Sequence, residues 1–387
     1  MRKVAVVTVA RSDYGLYRPV LERVAAHPEL ELQLVAGGMH LAEEHGLTIR
    51  EIEADGWEIA TRVEALPASD DPVAIAGAIG ASVAGFADAF ARLRPDIVLV
   101  LGDRYEMLAA VVAALALTLP VAHIHGGEST EGLIDEGIRH ATTKLSHLHF
   151  PATEHYARRI VQMGEEPWRI TMAGAPGLDA IASLEPLGRE ELEDLAGMSL
   201  GDGALLVTYH PVTLEPEQVE ARVDALLEAL DRAGLDVLFT APNADTHNRA
   251  VTRGIEGYVA AHPGSSLVAN LGSRAYLSVL GHVRALVGNS SSGIIEAASF
   301  RLPVVNVGRR QQGRLRAANV IDAEDDAGEI AAAIARATSD EFRAGLVGLV
   351  NPYGDGHAAE RIVARLAEVP LDDRLLMKRF YDLPGTA

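Results

Sequence analysis

The stretch DIVLVLGDRYEMLAAVVAALALTLPVAHIH, residues 96–125, decides the fold. It begins with an apolar run, DIVLVLG (96–102), and ends with a second run, PVAHIH (120–125). A helix-like segment at about 105–118 separates the two runs. Strands that are apolar on both faces are typical of a parallel sheet covered by helices on each side. The stretch therefore predicts a βαβ unit.

The same alternation of strand and helix runs through nearly the whole chain. The other strand candidates of the first half are KVAVVTVA (3–10), ELQLVAG (31–37), HLHFPA (147–152) and RITMAG (169–174). The pattern restarts after residues 175–203 with ALLVTYH (204–210), DVLFTAP (236–242), SLVAN (266–270), RALVGNS (284–290) and PVVNVG (303–308). This rhythm predicts an α/β protein with two Rossmann-like domains and a central cleft.

We expect the domain boundaries to follow the restart of the pattern. The N-terminal Rossmann-like domain is predicted over residues 1–175 and the C-terminal one over 176–365. A C-terminal tail, residues 366–387, is expected to pack back on the N-terminal domain. A chain of 387 residues is also too long for one ordinary core, which agrees with two domains.

Composition excludes several classes of protein. The net charge of -20 opposes binding to a nucleic-acid backbone, and no basic run offsets it. The chain has no cysteine, which excludes disulfides, thiolate catalysis, zinc fingers and iron–sulfur clusters. The first apolar run breaks at Arg11 and Asp13, so it is too short for a membrane span, and no signal-peptide cleavage region follows. We therefore expect a cytoplasmic protein without nucleic-acid or membrane partners.

Polar residues follow the apolar strands, at the sheet edge where ligands of such folds bind. Arg11 and Asp13 follow the first strand and are candidate substrate-binding residues. Asp103 and Arg104 follow the strand at 96–102. Asp103 has two interpretations: a cap of the helix that starts near Tyr105, or a catalytic carboxylate at a strand end.

HIHGGESTEGLIDE, residues 123–136, concentrates titratable groups after the next strand. His123 and His125 are two residues apart on a predicted strand and so share a face, and H-x-H is also a metal-ligand spacing. No third ligand stands at a telling spacing, so no metal or other cofactor is expected. We interpret His123 as a core histidine and His125 as the candidate for chemistry. A tight turn at the two glycines would return Glu128 toward His125.

The other titratable residues near this loop have simpler interpretations. Glu128 and Asp135 are candidate catalytic carboxylates, although each alone is compatible with a solvated acidic loop. Glu131 and Glu136 are assigned to that solvated loop. The remaining histidines of the segment are interpreted as structural: His140, His147 and His149.

GNSSSG, residues 288–293, lies between a strand and a helix in the second half. Small residues at a helix N-terminus suit a phosphate group, with Ser290 and Ser291 as donors, although serine is also a common helix N-cap. Glu296 on the next turn suits ribose hydroxyls, and the segment GRRQQGR (308–314) supplies arginines for phosphate. His210 ends the first strand of this half and is expected to face the cleft.

Six motifs together make the chain resemble a known family. They are ARSDYG, GMHL, LGDRYEM, HIHGGESTEGLIDEGIRHATTKLSHLHF, VTYHPVT and GNSSSGIIEAASFRLPVVNVGRRQQGR. The chain resembles the hydrolysing UDP-N-acetylglucosamine 2-epimerases of the sialic-acid and legionaminic-acid pathways from about residue 1 to 365. The resemblance implies a glycosyltransferase-B fold with a UDP-sugar in the cleft. It also implies elimination of UDP to a 2-acetamidoglucal, followed by addition of water to give UDP and the free 2-epimer.

The resemblance also assigns roles to individual residues. Asp103 and Asp135 match the catalytic carboxylates of the family, and His40 and Arg104 match residues near the sugar and phosphate. The positions that match nucleotide-binding residues are Arg11, His210, Ser290, Ser291, Glu296 and Arg310.

The chain departs from the sialic-acid type at one position. His125 stands where that type commonly has glutamate, and one more residue precedes Asp135. We expect Glu128, three residues on, to substitute in part for the missing carboxylate. The changed loop is compatible with another sugar, such as a 4-acetamido-6-deoxy relative of UDP-GlcNAc.

Three other functions stay open on the sequence. The chain could be a non-hydrolysing epimerase that returns UDP-ManNAc, a glycosyltransferase of the same fold, or a UDP-sugar-binding protein without turnover. A homo-oligomer, either a dimer or a tetramer, is also expected. The alanine-rich helices at 72–93 and 105–118 could supply its interface or belong to the core of one chain.

Overall fold

The chain divides into two compact units, each with its own sheet. The computed structural model describes residues 1–43, 46–66, 71–129, 134–201, 203–210, 218–241, 248–269 and 271–383. The first unit comprises Met1–Ala182 together with Tyr353–Ala387, and the second comprises Ser183–Pro352.

The first unit is built on a six-stranded parallel sheet. Its strands are β1 (Arg2–Thr8), β2 (Leu30–Gly37), β3 (Ile59–Val63), β4 (Ile97–Leu101), β5 (Val121–Ile124) and β6 (Leu148–Phe150). Its helices before the crossing to the second unit are α1 (Arg11–Ala26), α2 (Ile49–Ala54), α3 (Pro72–Leu93), α4 (Tyr105–Ala116), α5 (Ile134–Leu145), α6 (Glu154–Gln162) and α7 (Asp179–Ala182). The strand order is β3-β2-β1-β4-β5-β6. All residues of β4 are buried, as expected for a central strand covered on both faces.

The second unit repeats this topology. Its strands are β7 (Leu205–Thr208), β8 (Val237–Thr240), β9 (Ser266–Val268), β10 (Ala285–Gly288), β11 (Val304–Val307) and β12 (Val320–Ala323). Its helices are α8 (Arg189–Ala196), α9 (Val219–Ala233), α10 (Asn248–Ala261), α11 (Gly272–Leu280), α12 (Ser291–Ile295), α13 (Ala327–Ala337) and α14 (Asp340–Ala344). Its strand order is β12-β11-β10-β7-β8-β9. Read from the β9 edge, with β7 counted as the first strand of the unit, this is the same order as in the first sheet.

In each sheet, the first three strands of the chain extend toward one edge and the next three extend toward the other edge. The point where these two halves meet locates the candidate sites. In the first unit β1 lies beside β4, with Val4 paired to Ile97. In the second unit β7 lies beside β10, with Leu205 paired to Ala285. The connections leave in opposite directions at such a point, which opens a crevice beyond the carboxyl ends of the two strands. The residues that follow β1, β4, β7 and β10 are therefore the first to inspect.

Helix α3 is unusually apolar. Its mean hydropathy is 1.7 over an 18-residue window, and by length and composition it is the one helix of the described residues that could cross a membrane. Within the unit it packs on α4 and buries Phe86, Ala89 and Phe90 in the core. The core helices of soluble proteins meet the same criterion.

The C-terminal part of the chain returns to the first unit, so the domain boundary differs from the prediction. Residues 353–365 were assigned to the second domain but belong to the first unit, as do 176–182. Two further helices, α15 (Ala358–Glu368) and α16 (Asp373–Leu376), complete the first unit. The carboxylate of Asp179 accepts hydrogen bonds from the backbone N–H groups of Ala358, at 2.8 Å, and Ala359, at 2.7 Å. Burial of Ile362 and Leu366 in the first core then holds α15 there.

Several predicted element boundaries also need correction. Residues 169–174 were predicted as a strand, but only one isolated bridge, between His149 and Ile170, forms there. The edge strands β3 and β12 were not predicted, because each is short and half-exposed. Helix α1 begins at Arg11, so Arg11 and Asp13 lie in its first turn.

Candidate active site

The carboxyl ends of β1 and β4 bring Asp13 and Arg104 together. The Nε atom of Arg104 lies 3.7 Å from Oδ1 of Asp13, and its NH1 lies 3.2 Å from the sulfur of Met39. Asp13 is only 6% exposed, and burial raises the pKa of its carboxyl to about 6 despite the nearby guanidinium. The pair therefore combines a cation with an acid that can hold a proton near neutral pH.

Arg139 connects the ends of β4 and β5. Its NH2 group donates a hydrogen bond to the carboxylate of Asp103, and its NH1 donates to the carbonyl oxygen of His125 at 2.8 Å. The side chain of Arg139 is 5% exposed, whereas that of Asp103 is 23% exposed. Asp103 is thus bound by a buried guanidinium group, while part of its carboxylate remains accessible to solvent.

Asp135 lies in the first turn of α5, close enough to Asp103 for their charges to interact. Burial raises the pKa of Asp135, and the negative charge of Asp103 raises it further. The guanidinium groups of Arg104 and Arg139 act in the opposite direction. Two neighbouring carboxyl groups in different environments are the arrangement that separates an acid from a base.

His125 and Glu128 form a close pair in the loop after β5. The Nδ1 atom of His125 lies 2.5 Å from Oε1 of Glu128, and both side chains are less than a tenth exposed. Their proximity is the contact that the two glycines were expected to produce. His125 has a φ of 62°, a left-handed conformation that is uncommon for a residue other than glycine. Such strain clusters at functional sites, and the hydrogen bond from Arg139 to the His125 carbonyl helps to hold it.

His123 is a buried core histidine. Its Nε2 lies 2.8 Å from the carbonyl oxygen of Gly102, and its Nδ1 lies 3.2 Å from the hydroxyl of Thr143. Burial lowers the pKa of His123 to about 3, so the ring is neutral.

The expectation that His123 and His125 share a strand face is wrong, because β5 ends at Ile124 and His125 has left-handed backbone. Among the described residues, no group of three His, Asp or Glu side chains could hold a metal ion.

Two predicted substrate-binding residues of the first unit have other partners. Both ring nitrogens of His40 contact hydroxyls, Nε2 that of Thr8 at 2.9 Å and Nδ1 that of Thr48 at 2.8 Å. This is the arrangement of a structural histidine, and burial lowers its pKa to about 4. Arg11 lies 3.4 Å from Glu51 with an exposed side chain. The charge of Arg104 lowers the pKa of His40 further, so His40 lies near the Asp13–Arg104 pair, whereas Arg11 pairs with Glu51.

Two residues of this cluster were not among the predicted ones. Arg139 makes the contacts described above, and Glu106 is 2% exposed in the first turn of α4, where burial raises its pKa. Glu106 contributes to the raised pKa of Asp13. Helical periodicity offered a signal, since Glu106 shares a face with the buried Ala109, Ala110 and Ala113.

Glu131 lies outside the described residues, and Glu136 contacts His140 at 3.0 Å.

In the second unit, Ser290 immediately precedes α12, beside the end of β10. Its hydroxyl accepts a hydrogen bond from the Ser292 backbone N–H at 3.3 Å, so Ser290 is an N-cap, and Ser291 is the first helical residue. The hydroxyl of Ser292 donates to the carboxylate of Glu296, whose pKa is raised by burial. Gly288 precedes this turn with a φ of 134°, and a Cβ there would lie 2.1 Å from the Thr208 carbonyl oxygen. Only glycine therefore allows β10 to approach β7 so closely.

Asn289 connects the ends of β7 and β10, and it too was missed. Its side-chain amide accepts from the His210 backbone N–H at 2.7 Å and donates to the His210 carbonyl at 2.8 Å. Its own carbonyl accepts from Arg310 at 3.0 Å and from Gln311 at 2.9 Å. Burial, and then the charge of Arg310, lowers the pKa of His210 to about 4, so this imidazole is neutral. His210, Ser290 and Arg310 thus gather around one asparagine.

Comparison with known proteins identifies the family. The family model described as UDP-N-acetylglucosamine 2-epimerase matches residues 22–367. The chain belongs to the UDP-N-acetylglucosamine 2-epimerase family. Two relatives of this family match almost end to end. The chain is 38% identical to the UDP-N,N'-diacetylbacillosamine 2-epimerase (hydrolyzing) of Legionella pneumophila, covering 98% of this chain and 99% of the relative. It is 36% identical to the GDP/UDP-N,N'-diacetylbacillosamine 2-epimerase (hydrolyzing) of Campylobacter jejuni, covering 99% of each.

Solved structures of 2-epimerases share the fold. The UDP-GlcNAc 2-epimerase of Neisseria meningitidis, in a crystal structure bound to UDP-GlcNAc, superimposes with a TM-score of 0.79 at 18% identity. The match covers 95% of this chain and 100% of that one. The two parallel six-stranded sheets are therefore the paired Rossmann-like domains of the glycosyltransferase-B type. The protein is a UDP-sugar 2-epimerase.

Proposed function

We propose that this family member is a hydrolysing 2-epimerase, which converts a UDP-sugar and water to UDP and the free 2-epimeric sugar. The two relatives named as hydrolysing enzymes, at 38% and 36% identity, support the hydrolytic outcome. The main observation in support of this reaction is the proximity of Asp103 and Asp135. Arg139 is also bound to the Asp103 carboxylate. Proton transfer at a carbon needs a base and an acid within reach of the same site.

In the first step, UDP is eliminated. The C2 proton of an N-acetyl sugar is a weak acid, and departure of UDP from C1 makes C2 more acidic by placing positive charge beside it. A carboxylate of the Asp103–Asp135 pair takes that proton, and the C2–H electrons form the double bond of the 2-acetamidoglucal. The C1–O electrons leave with UDP. General-base catalysis of this kind contributes roughly 10²–10⁴-fold to the rate.

In the second step, water adds across the double bond. One acid returns a proton to C2 on the opposite face, and water, losing its proton to a base, bonds to C1. Asp135 suits the acid at this stage, because burial and the charge of Asp103 both raise its pKa. His125 and Glu128, 2.5 Å apart, are proposed to relay the proton of the incoming water. In this proposal, His125 takes over proton transfer from the glutamate that the sialic-acid type has at this position.

The residues of the second unit are proposed to bind the nucleotide. Ser290 and Ser291 begin α12, and the N-terminus of a helix favours negative charge such as a diphosphate. Arg310 supplies a full positive charge, and His210, neutral because burial lowers its pKa to about 4, supplies a hydrogen bond. The carboxyl of Glu296 is proposed to bind the ribose hydroxyls. Stabilising the departing UDP in this way lowers the barrier of the elimination.

Among UDP-sugars, we propose that the substrate is the 2,4-diacetamido-6-deoxy type. Both relatives reported above are named for UDP-N,N'-diacetylbacillosamine, a 4-acetamido-6-deoxy relative of UDP-GlcNAc. His125 supports this choice, because it changes the loop beside the sugar. UDP-GlcNAc is the second candidate, since the family model is named for it. The free product would supply a pathway to a nine-carbon acidic sugar of the sialic or legionaminic type.

The proposal includes a setting for the enzyme. We place it in the cytoplasm, without metal, cofactor, nucleic-acid or membrane partner, which suits a net charge of -20 and a chain without cysteine. A dimer or tetramer is proposed through α3, because only 28% of its apolar window is buried within one chain. Sedimentation of the purified protein tests this association, and a monomer at micromolar concentration would contradict it.

The experiment that tests the function is a substrate panel followed by product analysis. UDP release is measured with UDP-N,N'-diacetylbacillosamine and with UDP-GlcNAc, and products are examined by NMR in heavy water. A hydrolysing 2-epimerase places deuterium at C2 and oxygen from ¹⁸O-labelled water at C1 of the free sugar. A non-hydrolysing enzyme returns a UDP-sugar without that oxygen. A glycosyltransferase leaves C2 unlabelled, and a binding protein releases no UDP, so either result overturns the proposal.

A further inference from the structure

Residues 372–381, which we call the C-terminal strap, are fastened to the first unit by Arg169. This arginine is 1% exposed and donates hydrogen bonds to the carbonyl oxygens of Leu375, at 2.8 Å, and Arg374, at 2.9 Å. Leu375 is itself buried in the first core. A second attachment follows, because the Tyr381 N–H donates to the Gly164 carbonyl at 2.9 Å. The strap is therefore held on both sides of Lys378.

Lys378 reaches the C-terminal end of α5. Its Nζ donates to the carbonyl oxygen of Lys144 at 2.6 Å and to that of Ser146 at 2.5 Å. The last carbonyl groups of a helix lack partners within the helix, and a cation at that end is also favoured by the helix dipole. Lys378 thus supplies both a hydrogen-bond donor and a charge to the end of α5.

Glu165 balances the charge that Lys378 brings into the protein. Its side chain is 0% exposed and lies 2.8 Å from Lys378, 2.8 Å from Lys144 and 3.1 Å from His149. Burial lowers the pKa of Lys378 to about 8, with Glu165 acting against that shift. A buried carboxylate is tolerated only with such partners, because an unpaired ion in the interior is costly. The cluster therefore ties the strap, α5 and the chain after α6 together.

The other end of α5 carries Asp135, and its middle carries Arg139, the partner of Asp103. We infer that the C-terminal strap is a positioning element for the proposed active site, acting through the bonds of Lys378 to the end of α5. This inference rests on the proposed function for Asp135 and Arg139. A shift of about 1 Å in a group that moves a proton can cost roughly 10²-fold in rate, so a small displacement of α5 would be felt.

Three variants separate the role of Lys378 from general effects on stability. Lys378→Met keeps the length of the side chain and removes its charge and donors. Arg374→Met is the matched control, because Arg374 also lies in the strap but its guanidinium stacks on the Trp168 ring, 4.5 Å from the ring centroid. The double variant Lys378→Met with Glu165→Gln removes one positive and one negative charge, so the net charge of the buried cluster stays the same.

Two measurements are needed, one of them independent of activity. Amide hydrogen exchange is followed by mass spectrometry in peptides from α5 and, for comparison, from α9. We expect Lys378→Met and the double variant to exchange faster in α5 by about tenfold or more, with α9 unchanged. Steady-state kinetics should show kcat reduced by about tenfold or more and KM within about twofold, because the nucleotide-binding residues are untouched. Arg374→Met should match the original protein in both.

The outcomes decide between the possibilities. Unchanged exchange in α5 of Lys378→Met overturns the inference, even if kcat falls. Faster exchange with unchanged kcat overturns it as well, because α5 then moves without consequence for the chemistry. If Lys378→Met fails to fold, the double variant supplies the same readouts. If the original protein turns over no UDP-sugar, the proposed function has failed, and the exchange data still report whether the strap holds α5.

Discussion

Arg139 joins Asp103 to the loop after β5, because one guanidinium bonds both the Asp103 carboxylate and the His125 carbonyl. Lysine cannot reproduce two directed bonds from a planar group. We therefore expect both Arg139→Lys and Arg139→Met to reduce kcat by about 10²-fold or more. Arg139→Met should also destabilise the fold by about 1–3 kcal/mol, because the partly exposed Asp103 carboxylate and the buried His125 carbonyl lose a hydrogen-bond donor.

The control for this change is Arg158→Met. Arg158 pairs with Glu154 on the surface of α6, where both side chains are more than half exposed. An exposed pair contributes at most about 1 kcal/mol, so turnover and melting temperature should change little. Equal effects of the two substitutions would show that Arg139 has no special role.

Asp103→Asn tests the proposed proton transfer directly. The amide has the shape of the carboxylate but accepts no proton, so kcat should fall by about 10²-fold or more, while the affinity for UDP stays within about twofold. Turnover is assayed by UDP release, and UDP affinity by calorimetry. Survival of turnover within about tenfold would remove Asp103 from the mechanism. Asp224→Asn, at an exposed position on α9, is the matched control.

His125 and Glu128 should act as one unit, since their side chains are 2.5 Å apart. We expect His125→Gln, Glu128→Gln and the double variant to lower kcat by similar factors. Residues in direct contact typically show interaction energies of about 0.5–3 kcal/mol in such a cycle. Additive losses would mean that the two side chains contribute separately. The exposed pair His262 and Asp231, 3.1 Å apart, provides a control cycle that should leave kcat unchanged.

Ser290 and Ser291 separate helix capping from nucleotide binding. Ser290→Ala removes the N-cap of α12 and should cost about 1 kcal/mol in stability as well as weakening UDP binding. Ser291→Ala leaves that cap in place and should weaken UDP binding alone. Ser339 caps α14 with its hydroxyl 3.2 Å from the Phe342 N–H, so Ser339→Ala should cost stability alone. Unchanged UDP affinity in Ser290→Ala would reduce Ser290 to a cap.

Asp13 should make stability depend on pH. Burial raises its pKa from 3.8 to about 6 in the folded protein, so folding favours the neutral acid. This contribution is complete below the ordinary pKa and is lost as the pH rises through about 6. Asp13→Asn is neutral at every pH, so its advantage in stability should grow over that range and reach about 3 kcal/mol at most. Melting temperatures at several pH values measure it, with Asp224→Asn as control; a constant difference would contradict the assignment.

The sequence predicted those parts of the fold that depend on runs of apolar residues. The central strands β1, β4, β7 and β10 were all predicted, because their residues are buried on both faces. The edge strands β3 and β12 were missed, because half-exposed strands lack that continuous pattern. The return of α15 to the first unit was also missed, since its amphipathic pattern does not say which sheet it covers.

The candidate site was predictable where polar residues directly follow a strand. Asp103, His210 and Ser290 are of this kind, and the structure places each at the point where the two halves of its sheet meet. Arg139 and Asn289 were not predicted, because their importance lies in contacts with residues far away or in backbone bonds. His40 was selected by resemblance, but its two hydroxyl partners appear only in three dimensions.

The first unit is formed by two segments of the chain that are separated by the whole second unit. This arrangement determines the order in which the two units can fold during translation. On the ribosome, the second unit emerges in one piece and can complete its core before Tyr353–Ala387 of the first unit are translated. The first core must wait for Ile362, Leu366 and Leu375, which are translated only after the whole second unit. Until then its apolar surface stays partly uncovered, so nascent chains stalled before α15 should need chaperones more than chains that include α15 and α16.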